Sequence, residues 1–136
     1  VVGSAEAAKL TDPQLNLSAV FGVPIVSPPA DATVDDGDTY SAAGLELKVR
    51  SIPGHSAGHV VYVCEDSDPP MVFVGDVIFA GSIGRVDFPD GDFGQLKTGI
   101  HTKLFTLPEQ TVLLPGHGPP TTVGQEKRSN PFVGVQ

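Results

Sequence analysis

Three strand-like runs in this chain each break directly into a loop that sets a histidine or an aspartate beside glycine. Leu45, Leu47 and Val49 alternate with Glu46, Lys48 and Arg50. That period of two predicts a half-buried strand, and Pro53-Gly54-His55 follows it. Met71–Val74 is a short apolar strand that stops at Gly75-Asp76. Val112–Leu114 is a third, and it runs into Pro115-Gly116-His117-Gly118. Glycine lets the backbone approach closely and take positive φ, while a strand end gives a side chain a rigid platform. The pattern favours a sheet whose strands end in ligand-bearing loops.

The other elements fit around that sheet. Ser4–Leu10 reads as a short helix capped by Ser4, and Asp12-Pro13 stops it. Residues 13–30 hold Pro13, Pro24, Pro28 and Pro29 and read as an irregular covering loop. Asp35–Asp38 is an acidic turn, and Val60–Cys64 is a β-branched strand. Residues 80–94 read as a glycine-rich loop. Gln95–Phe105 looks helical, with Leu96, Ile100, Leu104 and Phe105 on one face. Thr121 or Thr122 caps a last helix near Val123–Ser129, closed by Asn130-Pro131. The order is helix, three strands, helix, strand, helix. It predicts a single α/β domain over residues 1–136, with a mixed sheet of about four strands and helices on one face.

Charge narrows the partners. The net charge is −8 and no basic run occurs, which argues against nucleic acid and against an anionic membrane surface. No stretch is apolar enough for a membrane span, and no signal peptide is visible. The one cysteine, Cys64, cannot form an internal disulfide, which fits a reducing, cytoplasmic setting.

Imidazole nitrogen and carboxylate oxygen together suit Zn²⁺, Fe or Mn. His55, Asp76 and His117 are far apart in sequence, so only the fold can bring them together. Taken singly, a histidine in such a loop is usually a surface turn residue, and an aspartate after a strand is usually a cap. Three in one small domain shift the balance towards a metal site.

The segments V-F-V-G-D-V-I-F-A-G-S-I-G-R-V-D-F-P-D-G-D (72–92), I-P-G-H-S-A-G-H-V-V-Y-V (52–63) and L-L-P-G-H-G-P-P-T-T-V-G-Q-E-K-R-S-N-P-F (113–132) resemble the metallo-β-lactamase superfamily. More narrowly they resemble its short glyoxalase II-like, or hydroxyacylglutathione hydrolase-like, members. The resemblance implies the C-terminal half of an αββα sandwich. It also implies that His55 completes one metal site, that Asp76 bridges two metals as the catalytic carboxylate, and that His117 belongs to the second site. The family's earlier H-x-H-x-D-H motif does not occur here, and the resemblance places it upstream of Val1. Three of the family's seven ligands then remain. Alone they would hold at most one metal, weakly.

By this resemblance the activity is thioester hydrolysis by metal-bound hydroxide, on a small molecule such as a glutathione conjugate. Two cations lower the pKa of a shared water and stabilise the oxyanion. Persulfide dioxygenase and lactonase chemistry are related readings on one scaffold. A reading of another class is a catalytically silent half-domain that serves as an assembly partner. An apolar sheet face left without its second layer predicts self-association or a separate N-terminal half.

Other residues have two readings each. Arg85 either binds a substrate carboxylate or pairs with Asp87 or Asp92. Asp87 either supports a metal ligand or caps a loop. His59 is expected to be structural or at the surface, His101 solvated on its helix, and Cys64 a small core residue.

Overall fold

The computed structural model describes residues 1–16, 22 and 25–135. The covering loop expected over 13–30 therefore lies partly outside the described residues. Its described parts are a turn at 13–16 and irregular chain over 25–30.

The elements are β1 (Val2–Gly3), a 3₁₀ turn (Ser4–Glu6), α1 (Ala7–Thr11), β2 (Thr33–Val34), β3 (Thr39–Ala42), β4 (Leu45–Ser51), β5 (Val60–Cys64), β6 (Met71–Gly75), β7 (Ile78–Phe79) and β8 (Ser82–Ile83). Then come α2 (Phe93–Gly99), running on as a π-helical turn (Ile100–Leu104), β9 (Val112–Pro115), β10 (Thr121–Thr122) and α3 (Val123–Ser129). The main sheet has six strands in the order β10-β9-β6-β5-β4-β3, two more than expected. It is mixed: β6 and β9 are parallel and every other pair is antiparallel. A parallel pair needs a long crossover, and α2 with its π-helical turn supplies it.

Local chemistry explains the helix ends. Asp92 caps α2 by accepting from the Gln95 amide at 2.9 Å, so this helix starts earlier than Gln95. Thr122 caps α3 in the same way, accepting from Gln125 at 3.2 Å. Ser4 does not cap its helix; its hydroxyl donates to Asp35 instead.

Helices cover one face of the sheet. Val61, Val63, Val72, Val74 and Leu113 point there, pack with Leu96, Ile100 and Leu104, and are almost fully buried. The alternate residues Val60, Tyr62, Met71, Val112 and Leu114 point the other way and are half-buried, and Phe73 is 37% exposed. A cavity of about 310 Å³ remains between β1 and this second face, lined by Val2, Val60, Tyr62 and Phe73. Cys64 is fully buried on the second face, as a core residue. No helix among the described residues is long and apolar enough to cross a membrane.

Candidate metal centre

Sheet topology brings the three donor loops together. β6 and β9 are parallel neighbours, so their C-terminal ends stand side by side. Gly75 pairs with Pro115, and the Gly116 amide donates to the Gly75 carbonyl at 2.8 Å. β5 is antiparallel to both β4 and β6, so the β4–β5 loop lies at that same end. His55, Asp76 and His117 therefore meet at one end of the sheet.

Asp76 stands in the middle. Its Oδ1 is 2.9 Å from His117 Nδ1, and its Oδ2 is 3.6 Å from His55 Nε2. Each histidine thus faces a different carboxylate oxygen. His117 is well exposed, with the Phe79 ring edge-on to it at 5.7 Å. His55 is more enclosed, and its Nδ1 donates to the Arg85 carbonyl at 2.8 Å. A carbonyl only accepts, so Nδ1 carries the proton. In neutral His55, Nε2 then presents a lone pair to a carboxylate oxygen. Two acceptors facing each other call for a positive charge between them, a proton or a metal ion. That is the arrangement in which a ligating histidine is oriented through its other nitrogen.

Glycine makes room for this contact. A Cβ on Gly84 would stand 1.8 Å from the Asp76 carbonyl and 3.1 Å from His55 Nδ1. One on Gly116 would stand 2.8 Å from Asp76 Oδ1. The donor chemistry and the cradle fit a cation. The donors form a row, however, not a cage. Among the described residues no three of His, Cys, Asp and Glu converge on one point to hold a metal.

His59 is half-buried and bonded to the backbone, so of its two expected settings the structural one holds. Its Nε2 accepts from the Asp76 amide at 3.2 Å, which leaves the proton on Nδ1, a buried atom with no hydrogen-bond partner. Burial first, then neighbouring His55, pulls its pKa below the ordinary value, against the opposing pull of Asp76 and Glu6. His59 is thus a neutral prop for the backbone of Asp76. The sequence offered only its spacing from His55 as a signal.

The Arg85 side chain forms a two-pronged ion pair with Asp87 at 2.9 and 3.0 Å and lies over the Phe88 ring at 4.5 Å. Asp92 is used as a helix cap. What Arg85 gives the donor row is its carbonyl. His101 is half-buried, not solvated: its Nε2 donates to the Val133 carbonyl at 2.8 Å and its ring stacks on Phe105. Beside His55 and His59 lies a cavity of about 630 Å³, lined also by Leu10, Leu15, Ser56 and Phe88.

The profile of the Metallo-beta-lactamase superfamily (Lactamase_B) matches residues 1–117. Hydroxyacylglutathione hydrolase GloC of Haemophilus influenzae is 40% identical over 119 residues, covering 83% of this chain and 53% of that protein. The crystal structure of BLEG-1 B3 metallo-beta-lactamase superposes with a TM-score of 0.88 at 40% identity, over 97% of this chain and 63% of that one. TTHA1623, solved in a di-iron-bound form, gives a TM-score of 0.78 at 34% identity, over 96% of this chain and 63% of that one. The chain spans about half the length of the curated relatives it matches.

Proposed function

The chain belongs to the metallo-beta-lactamase superfamily, whose members are metal-dependent hydrolases, and from that premise we propose that it is the C-terminal half of a thioester hydrolase of glyoxalase II type. The observation that carries this reading is Asp76 facing one histidine with each carboxylate oxygen. His55 and Asp76 would hold one cation, and Asp76 and His117 a second, with Asp76 shared. Zn²⁺ suits this mixed nitrogen and oxygen set, and so does iron, the metal bound in the TTHA1623 structure. When bound, the cations supply Lewis-acid activation of water and of the thioester carbonyl.

The chain's own residues prepare that chemistry. The Arg85 carbonyl fixes the tautomer of His55, and His59 holds the Asp76 backbone. The cavity beside His55, walled by Leu10, Leu15 and Phe88, takes the apolar part of a small thioester. The GloC relative supports a glutathione conjugate as substrate. Arg85, exposed near the cavity's Phe88 wall, would exchange Asp87 for a substrate carboxylate. The lone buried thiol of Cys64 supports a cytoplasmic setting.

A second reading has its own observation. The donors stand in a row, so residues 1–136 alone would be a silent half-domain whose open sheet face docks an N-terminal half or a second copy. Metal analysis and S-lactoylglutathione hydrolysis distinguish the two, on this chain and on a protein extended upstream. The expected result is about two cations per extended protein, with turnover, both lost in Asp76→Asn. Metal without thioester turnover would overturn the glyoxalase reading. An extended protein that binds no metal would overturn the hydrolase reading itself.

A further inference from the structure

Glu126 is 1% exposed, yet it sits on a short helix between the polar neighbours Gln125 and Lys127. A buried carboxylate is stable only when its oxygens are well bonded. Oε1 accepts from the Gly81 amide at 2.9 Å and from Asn130 Nδ2 at 3.0 Å. Oε2 accepts from the Thr121 hydroxyl at 2.6 Å. All three partners are neutral donors. Asn130, 4% exposed, also donates to the Ser82 carbonyl at 3.0 Å. Its Oδ1 accepts from the amides of Phe132 and Val133.

The places these bonds reach matter more than their number. Gly81 lies in the turn of the β7–β8 hairpin, and Ser82 opens β8 just after it. The hairpin's root is bracketed by Asp76 on one side and by Arg85, whose carbonyl holds His55, on the other. Phe79 of the same hairpin packs edge-on to His117. Thr121 lies four residues beyond His117, at the end of the loop that carries it. One buried carboxylate therefore grips the tip of a hairpin that touches His117 through Phe79 and is flanked by Asp76 and by the Arg85 that bonds His55, and it also grips the exit of the His117 loop.

We propose that Glu126 is a positioning residue that sets the spacing of His55, Asp76 and His117. This rests on the reading that those three residues form the metal centre. Losing the Oε1 bonds frees the hairpin and lets the Arg85 carbonyl drift from His55. Losing the Oε2 bond frees the His117 loop alone.

The test uses the full-length protein that carries this sequence, with Glu126→Leu, Glu126→Gln and Thr121→Val. Histidine ring ¹⁵N–¹H spectra are read without metal, and Zn²⁺ affinity is then measured by chelator competition. Glu126→Leu is expected to move the His55 and His117 ring signals and to weaken Zn²⁺ by about tenfold or more. Glu126→Gln keeps the Oε1 acceptor, and its amide can donate back to Thr121, so it should stay within about threefold of wild type. Thr121→Val should move His117 and spare His55, and it keeps the test open if Glu126→Leu fails to fold. Variants that melt earlier but keep both ring signals and the Zn²⁺ affinity would overturn the proposal. Ring signals that move in a protein binding no Zn²⁺ would overturn the metal reading and leave the positioning role standing.

Discussion

The two ends of the sheet are built from similar glycine-bearing turns but under different constraints. At the far end, Ala43-Gly44 joins β3 to β4 with both residues at positive φ, and a Cβ on Gly44 would meet nothing within 4 Å. Glycine there answers only to backbone conformation. At the donor end, Gly84 and Gly116 do not have positive φ. They are glycine because Asp76 lies where a side chain would go. The far end needs only a turn; the donor end has its own positive-φ glycines, Gly54, Gly75 and Gly118, and at Gly84 and Gly116 it needs atoms in contact as well. The difference teaches that the donor end is tightly packed around Asp76, so it should respond to small changes by losing geometry before it loses the fold.

Gly84→Ala breaks this contrast most severely. Its methyl would stand 1.8 Å from the Asp76 carbonyl, a backbone atom that cannot step aside. The expected cost is about 1–3 kcal/mol in urea denaturation, with loss of the bond between His55 and the Arg85 carbonyl in histidine spectra. Unchanged stability would mean the donor end is as slack as the far end. Gly116→Ala is milder for the fold, because Gly116 is exposed and the contact is a side-chain oxygen. Stability should change by less than about 1 kcal/mol, while Zn²⁺ binding weakens by about tenfold in isothermal titration.

The donor end is also where acid should act. Lys9 bridges Asp90 at 2.6 Å and Glu6 at 2.8 Å, tying α1 to the loop after β8. Lys9 itself leads the forces holding the Asp90 carboxyl below its ordinary 3.8, with the Ala57 amide adding to it. Burial works to raise Glu6, but Lys9, Ser56 and the Gly58 amide outweigh it and lower its pKa from 4.5. Depressed carboxylates stabilise the fold above their unfolded pKa values, and the contribution fades as pH falls through the folded ones. Burial works to lower Lys9, but Asp90 and Glu6 outweigh it, so its share is lost only as pH rises through a value above 10.5. Proteolysis within residues 1–16 should therefore accelerate below about pH 4, and Lys9→Met should flatten that dependence. An acid response equally strong in Lys9→Met would remove this clamp from the account.

Much of this was legible in the sequence, and the gaps have physical causes. Val60–Cys64 and Val123–Ser129 occur where their composition places them. β-branched runs and a threonine cap are local signals. His55, Asp76 and His117 could be named as donors because their side chains differ from the surrounding glycine and proline. The Arg85 carbonyl could not, because every residue carries one. Glu126 looks like an exposed helix residue, since its burial depends on a hairpin about 45 positions earlier. The β7–β8 hairpin has two residues per strand, too few to show a period.

β3 was missed for a reason that yields the smallest prediction. Thr39–Ala42 is polar, and its turn carries Ala-Gly where Asn-Gly would announce a hairpin. Ala43 at φ 52° holds a methyl in the left-handed region, at a cost of roughly 1–2 kcal/mol. Ala43→Gly relieves that contact but gives the unfolded chain more freedom, so the net gain should be only about 0.5–1 kcal/mol in thermal unfolding. Zn²⁺ affinity and the histidine signals should not move, because the turn lies at the opposite end of β4 from His55. A far-end substitution that shifted the donors would show that the sheet transmits strain along β4. The two ends would then have to be treated as one coupled unit.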